Sequence, residues 1–184
     1  MKITALKSFA VLSLLVGGTT LIHSQSYFHK SNQASAAELT SIAGPSGGYG
    51  GSSFSWGNSS VIARATRVSR VVVRSGNRID AIRFEYQNRD GSFGTLSAGG
   101  QGGSECFLIL AEGEYITQIT GRYGAEIDSI RIVTNRGNSR TCGGGGGREN
   151  FAYSAPQGQA IWGIFGREGR RIDALGVFYG PIIN

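Results

Sequence analysis

Three aspartates, Asp80, Asp128 and Asp173, each close the same five-residue phrase: Gly76-Asn-Arg-Ile-Asp80, Gly124-Ala-Glu-Ile-Asp128 and Gly169-Arg-Arg-Ile-Asp173. A carboxylate held on a tight glycine turn offers two acceptor oxygens, while the turn's own amides point outward as donors. Vicinal hydroxyls need this combination, because each hydroxyl donates to one group and accepts from another. Ahead of each phrase stands a second, glycine-rich one: Gly47-Gly-Tyr-Gly-Gly51, Gly99-Gly-Gln-Gly-Gly103 and Gly143-Gly-Gly-Gly-Gly147. The first glycine of each precedes the following aspartate by 33, 29 and 30 residues. Two motifs in constant order at nearly constant spacing mark one unit written three times, over 47–98, 99–142 and 143–184. The glycines permit positive φ and leave backbone N–H groups uncovered, so a polar ligand can approach the main chain closely.

Composition removes most other chemistry. Lys2 and Lys7 precede an apolar run from Ser8 to Ile22, and Ala34-Ser-Ala36 supplies the small residues of a cleavage site. Residues 1–36 therefore read as a signal peptide of a secreted protein, with a cut after Ser24 as the alternative; the apolar run, broken at Gly17-Gly-Thr-Thr20, is short for a membrane anchor. Residues 37–46 read as an N-terminal leader and 47–184 as a single folded domain. All three lysines and both histidines lie before residue 37, leaving 15 arginines against 12 acidic residues, a net charge of +3. That bias is too weak to argue for nucleic acid. Without histidine, no Ser-His-Asp or Cys-His arrangement can be built, and a zinc site would rest on two cysteines and carboxylates. A glycosidase needs two carboxyl groups about 5–10 Å apart across one bond, whereas the repeat spreads the three aspartates over separate pockets. The chain is expected not to be an enzyme and to need no cofactor. Arginine without lysine provides flat forks that suit hydroxyl pairs, carboxylates and sulfates, although most strand arginines should simply solvate an outer face.

The elements that must position these residues are strands. Arg67–Arg74, Tyr115–Thr120 and Ala160–Phe165 are rich in β-branched and aromatic residues with no helical period, and no helix is expected. Ile82, Phe84 and Tyr86 should face one way, Arg83 and Glu85 the other. Asp90-Gly91 and Arg136-Gly137 read as hairpin turns. Each unit then carries about four short strands, and a four-stranded sheet buries only one face. Three sheets packed around a shared axis, a triangular all-β prism, satisfy this; a three-bladed propeller is the alternative. Cys106 and Cys142, an even pair in an exported chain, favour one disulfide over two buried thiols, which would close a loop of 36 residues and contribute about 3–4 kcal/mol. Asn58-Ser59-Ser60 fits an N-glycosylation acceptor. Trp162 and Phe165 read as core residues whose strand leads into the Asp173 turn, where an edge aromatic could flank a ligand.

The triple Gly-Gly-x-Gly-Gly and triple Gly-x-x-x-Asp, with Ile79-Asp-Ala-Ile-Arg-Phe84, Gly113-Glu-Tyr-Ile116 and Gly169-Arg-Arg-Ile-Asp-Ala-Leu-Gly176, resemble the jacalin-related lectins. The chain is most similar to their mannose-binding, uncleaved branch, and to the members that carry all three motifs. The resemblance implies a β-prism I fold of three four-stranded Greek-key sheets and metal-independent carbohydrate binding. It also implies that each aspartate turn faces the last glycine of a neighbouring glycine loop. Asp173, with Gly169 and the amides of Arg170 and Arg171, would face Gly51; Asp80, with Asn77 and Arg78, would face Gly103; Asp128, with Ala125 and Glu126, would face Gly147. Triple-motif members carry tyrosine at the third motif position, where this chain has Arg78, Glu126 and Arg171, so that stacking contact is lost. Glu126 beside Asp128 should disfavour acidic glycans there, whereas Arg78 and Arg171 could recruit sulfate or uronate. The expected ligands are mannose- or glucose-containing glycans first and acidic polysaccharides second, with Asp173 the best site, Asp80 next and Asp128 the most structural. A purely structural, protein-binding prism is the remaining class, and open sheet edges leave room for a homodimer.

Overall fold

A computed structural model describes residues 38–183. The signal-peptide reading, both cleavage points and residue 37 of the leader fall outside them. The described chain forms twelve strands and one short helix: β1 (Ser41–Gly47), β2 (Ser52–Ser55), α1 (Ser60–Arg64), β3 (Ala65–Ser75), β4 (Ile79–Asn88), β5 (Phe93–Gly99), β6 (Ser104–Ile109), β7 (Ile116–Tyr123), β8 (Ile127–Thr134), β9 (Ser139–Gly143), β10 (Glu149–Ser154), β11 (Gln159–Glu168) and β12 (Ile172–Pro181). They make three four-stranded sheets, ordered β1-β12-β11-β2, β5-β4-β3-β6 and β10-β7-β8-β9, with every pairing antiparallel.

Each sheet is a central hairpin, β3–β4, β7–β8 or β11–β12, flanked by two edge strands. In the second and third sheets all four strands come from one continuous segment. The first sheet joins 41–55 to 159–181. Residues 41–46, which look like a polar leader, thus supply edge strand β1, paired to β12 from Ser41 opposite Tyr179 to Gly47 opposite Ala174. An edge strand with one face in water does not need the alternating apolar pattern that marks a central strand. Counted from glycine loop to glycine loop, each sequence unit spans two sheets.

Strand alternation builds the core. Ile82, Phe84 and Tyr86 are essentially inaccessible, while Arg83 and Glu85 pair with each other on the outer face at 3.4 Å. Inward residues of all three sheets, among them Val71, Val73, Ile119, Ile130, Ile164 and Val177, join one cluster. Each fully buried aliphatic side chain contributes about 1.5–3 kcal/mol. The sheets therefore pack face to face around one core, a prism and not a propeller. Two phenols tie sheet to sheet: Tyr86 Oη donates to the Trp162 carbonyl at 2.7 Å, and Tyr153 Oη to the Leu175 carbonyl at 3.1 Å. Burial drives the Tyr86 phenol well above its ordinary pKa, so it stays a donor. Trp162 belongs to this core, and Phe165 packs on Phe178.

The two predicted hairpin turns form alike, with Gly91 N donating to Asn88 O and Gly137 N to Thr134 O. Helix α1 departs from the sequence reading. Its single turn is too short to display a 3.6-residue period, yet Ser59 Oγ caps it by accepting from Val61 N at 3.1 Å, and Ile62 plugs into the core. Asn58 of the glycosylation acceptor is exposed just ahead of it.

Cys106 on β6 and Cys142 on β9 form a disulfide, with Cα atoms 6.0 Å apart and a sequence separation of 36. It fastens the edge of one sheet to the edge of the next. Replacing both cysteines by serine is expected to lower the unfolding free energy by about 3–4 kcal/mol, measured by urea denaturation; a loss well under 1 kcal/mol would show that other contacts hold the two edges.

Candidate functional site

The Gly-x-x-Ile-Asp phrase is the turn of each central hairpin. Ile79, Ile127 and Ile172 open β4, β8 and β12 and are fully buried. Because side chains alternate along a strand, anchoring the isoleucine inward turns the following aspartate away from the core. Within the turn, the glycine amide is consumed internally: Gly76 N donates to Arg78 O at 3.1 Å, Gly124 N to Glu126 O at 2.9 Å and Gly169 N to Arg171 O at 2.9 Å. Among the described residues, the amides at the second and third positions (Asn77 and Arg78, Ala125 and Glu126, Arg170 and Arg171) donate to no other protein group.

The glycine loops link β1 to β2, β5 to β6 and β9 to β10, the two outer strands of one sheet in each case. Each loop must therefore cross the end of its sheet, over the hairpin turn. It is held there by its second glycine, with Gly48 N donating to Asp173 O at 2.8 Å, Gly100 N to Asp80 O at 2.9 Å and Gly144 N to Asp128 O at 3.0 Å. A Cβ on the fifth glycine would stand 2.6 Å from Asp173 Oδ2 at Gly51, 2.6 Å from Asp80 Oδ2 at Gly103 and 2.9 Å from Asp128 Oδ2 at Gly147. These glycines also have φ of +59°, +65° and +77°, so any side chain would be strained as well as crowded. The structure thus brings together all three predicted pairs of aspartate and glycine.

Three further residues complete the loops. Arg167 donates from Nε to Gly50 O and from Nη2 to Gly51 O, both at 2.7 Å. Arg74 donates to Gly102 O at 2.9 Å and Gly103 O at 2.8 Å, and Arg122 to Gly147 O at 2.6 Å. Each lies six residues before its aspartate, so the full phrase is Arg-x-Gly-x-x-Ile-Asp. These three arginines are loop clamps, unlike Arg70 and Arg83, which pair with Glu85 on an outer face. The middle residue of the glycine loop differs in each copy: Tyr49, Gln101 and Gly145. Tyr49 is 96 % exposed, an aromatic ring on the rim of the Asp173 pocket. Trp162 and Phe165, by contrast, are spent on the core and its cover rather than on the aspartate turns.

Each pocket borrows a wall from a neighbouring sheet. A Cβ on Gly100 would lie 2.5 Å from Arg170 O, one on Gly144 2.7 Å from Asn77 O, and one on Gly48 2.8 Å from the Ala125 carbonyl carbon. The turn of Asp173 therefore borders the Asp80 pocket, the turn of Asp80 the Asp128 pocket, and the turn of Asp128 the Asp173 pocket. Charges follow the same cycle. Arg171 Nε is 3.7 Å from Asp80 Oδ1, and Arg78 Nε is 3.7 Å from Asp128 Oδ1. Glu126 takes both arginines, pairing with Arg78 and, at 3.1 Å, with Arg171 Nη1. Glu126 is thus engaged by two arginines and is not a bare charge beside Asp128. Burial pushes the Glu126 carboxyl up, but the hydrogen bonds and charges of Arg78 and Arg171 outweigh it and hold Glu126 below its ordinary value. Burial first, and the charge of Glu126 second, raise the Asp173 carboxyl above its ordinary value against the pull of Arg167.

Carboxylates and free amides under a glycine loop, on three sheets around one core, suit a ligand rich in hydroxyls. The comparisons with known proteins agree. Residues 43–178 match the model of the jacalin-like lectin domain. Horcolin from Hordeum vulgare is 36% identical over 146 residues, covering 75% of this chain and 95% of its own. Among solved structures, Malaysian banana lectin superposes with a TM-score of 0.66 at 30% identity, covering 76% of this chain and 97% of its own. AcmJRL, a mannose-binding jacalin-related lectin from Ananas comosus, does so with a TM-score of 0.60 at 28% identity, covering 78% of this chain and 99% of its own. The chain belongs to the jacalin-like lectin family.

Glu126→Gln is expected to lower the pKa of Asp173, since a neutral neighbour no longer opposes its ionisation. Carboxyl carbon shifts followed through an NMR pH titration read this directly, and an unmoved Asp173 midpoint would show that the charge does not reach this pocket.

Proposed function

We propose that the chain is a secreted lectin that binds neutral mannose- or glucose-type glycans without metal, through pockets that pair Asp173 with Gly51, Asp80 with Gly103 and Asp128 with Gly147. The observation that carries this reading is the crossing of each glycine loop so close to its aspartate that only glycine fits. An ionised carboxylate then accepts from two adjacent sugar hydroxyls, and the two idle turn amides donate to the ring oxygen and a further hydroxyl. No step needs a cation, because donors and acceptors are both supplied by protein.

The Asp173 pocket suits a neutral sugar best. Tyr49 offers an aromatic face to the apolar side of a pyranose, and Glu126 on the borrowed wall repels anions. The mannose-binding relative from Ananas comosus supports this ligand class. Secretion rests on the charged start, apolar run and small-residue site within residues 1–36, and on a disulfide, which persists in oxidising compartments. Per-site affinity should be modest, since hydroxyls exchange water for protein partners, and several pockets at one end of a prism raise avidity for branched glycans.

A glycan array tests the assignment. Wild type should retain neutral mannosides, and Asp173→Ala should weaken that signal by roughly tenfold or more, the equivalent of one hydrogen-bonded charge; an intact signal sinks the assignment. Binding to immobilised mannan should survive EDTA unchanged, and a loss restored by calcium would overturn metal independence.

A further inference from the structure

The borrowed walls make the three pockets chemically different, although their own motifs are alike. The Asp173 pocket receives Ala125 and Glu126 from its neighbour, and the Asp128 pocket receives Asn77 and Arg78. The Asp80 pocket receives Arg170 and Arg171. Room lies on both sides of it: one recess of about 520 Å³ is lined by Gly76, Asn77, Arg78, Asp80, Gly103 and Arg171. A second, of about 440 Å³, lies on the other side of Asp80, between the Gly100–Gly102 loop and Arg170 and Arg171. Arg171 lines both.

Most charges around Asp80 are already paired. Arg171 reaches Asp80 and Glu126, and Arg78 reaches Glu126 and Asp128, so each of these guanidiniums already has carboxylate partners. Arg170 is exposed and, among the described residues, forms no ion pair. Arg170 and Arg171 line the same recess, together with Gln101. Two guanidiniums about a recess that opens next to a hydroxyl-accepting carboxylate fit a ligand carrying both hydroxyls and a negative group, because a planar fork matches a carboxylate or sulfate bidentately.

We propose that the Asp80 pocket selects sugars bearing an anionic substituent, a sulfate ester or a uronate carboxylate, which seats between Arg170 and Arg171 while adjacent hydroxyls meet Asp80. This rests on the reading of Asp80 as a hydroxyl acceptor. The lectin then sorts its ligands by pocket, neutral residues at Asp173 and anionic ones at Asp80. A chain carrying both kinds of residue would engage two pockets of one molecule.

The test isolates each pocket and uses three probes: a methyl mannoside, its sulfate ester and the corresponding uronic acid. In Asp128→Ala/Asp173→Ala, calorimetric titration at low salt should show one or both anionic probes binding about tenfold tighter than the neutral one, an advantage that shrinks as salt is added. Whichever anion gains identifies the source of the negative group. In Asp80→Ala/Asp128→Ala, which keeps only the Asp173 pocket, the order should reverse. Adding Arg170→Ala and Arg171→Ala to the Asp80-only protein should bring the anionic-to-neutral ratio near one; Arg170→Ala alone, at an exposed side chain, should reduce it without risk to folding. Equal affinity for charged and uncharged probes at Asp80, or a preference that survives both arginine changes, overturns the proposal and leaves neutral binding standing. Failure of wild type to bind any of the three probes removes the underlying reading as well.

Discussion

A connection between the two outer strands of a four-stranded sheet has to cross the end of the central hairpin, and in this protein that crossing touches the hairpin turn. Most of the local chemistry follows from the contact. Because the loop runs against a carboxylate, its fifth residue has no room for a Cβ and takes a positive φ; glycine meets both conditions. Such a loop loses more conformational freedom on folding than an ordinary one. Arg74, Arg122 and Arg167 offset part of that cost, since a hydrogen bond to a charged group contributes about 1.5–3 kcal/mol. The result is an aspartate fixed by the fold itself; under the proposed reading, binding need not order the site.

The same crossing brings each glycine loop against the turn of a different sheet, and this closes a cycle. Asp173's turn walls the Asp80 pocket, Asp80's turn the Asp128 pocket, and Asp128's turn the Asp173 pocket. A residue at the second or third motif position therefore borders a neighbouring pocket as well as its own. The Arg78–Glu126–Arg171 cluster is where the three turns meet, and its single carboxylate balances two guanidiniums.

Much of this was legible in the chain. The isoleucine before each aspartate, the in-phase glycine loops, the alternation around Phe84, both glycine turns and the cysteine pair all carry local signals, and the structure places each as those signals suggest. What escaped had either a degenerate signal or none. Arg74, Arg122 and Arg167 stand at a constant six residues before the aspartates, yet arginine on a strand usually faces water, so the regularity looked like surface. Strand β1 hid because an edge strand with one wet face needs little apolar pattern, and α1 because one turn has no period. The reach of Glu126 to Asp173 has no sequence signal, since it depends on how three sheets turn about one core.

Sheet assembly also has a temporal side. The segment 65–154 contains every strand of two sheets, so the Asp80 and Asp128 crossings can close as soon as that stretch is free to fold. Strands β1 and β2 are made first but pair only with β12 and β11. During synthesis they wait, unpaired, for more than a hundred residues, as exposed strand edges of the kind that invite aggregation. Their small, polar makeup, with Gly, Ser and Pro in place of a continuous apolar run, lacks the signature of an aggregation-prone segment. The last-made hairpin then recruits the first-made strands, and the Asp173 crossing closes at the moment the fold itself is complete.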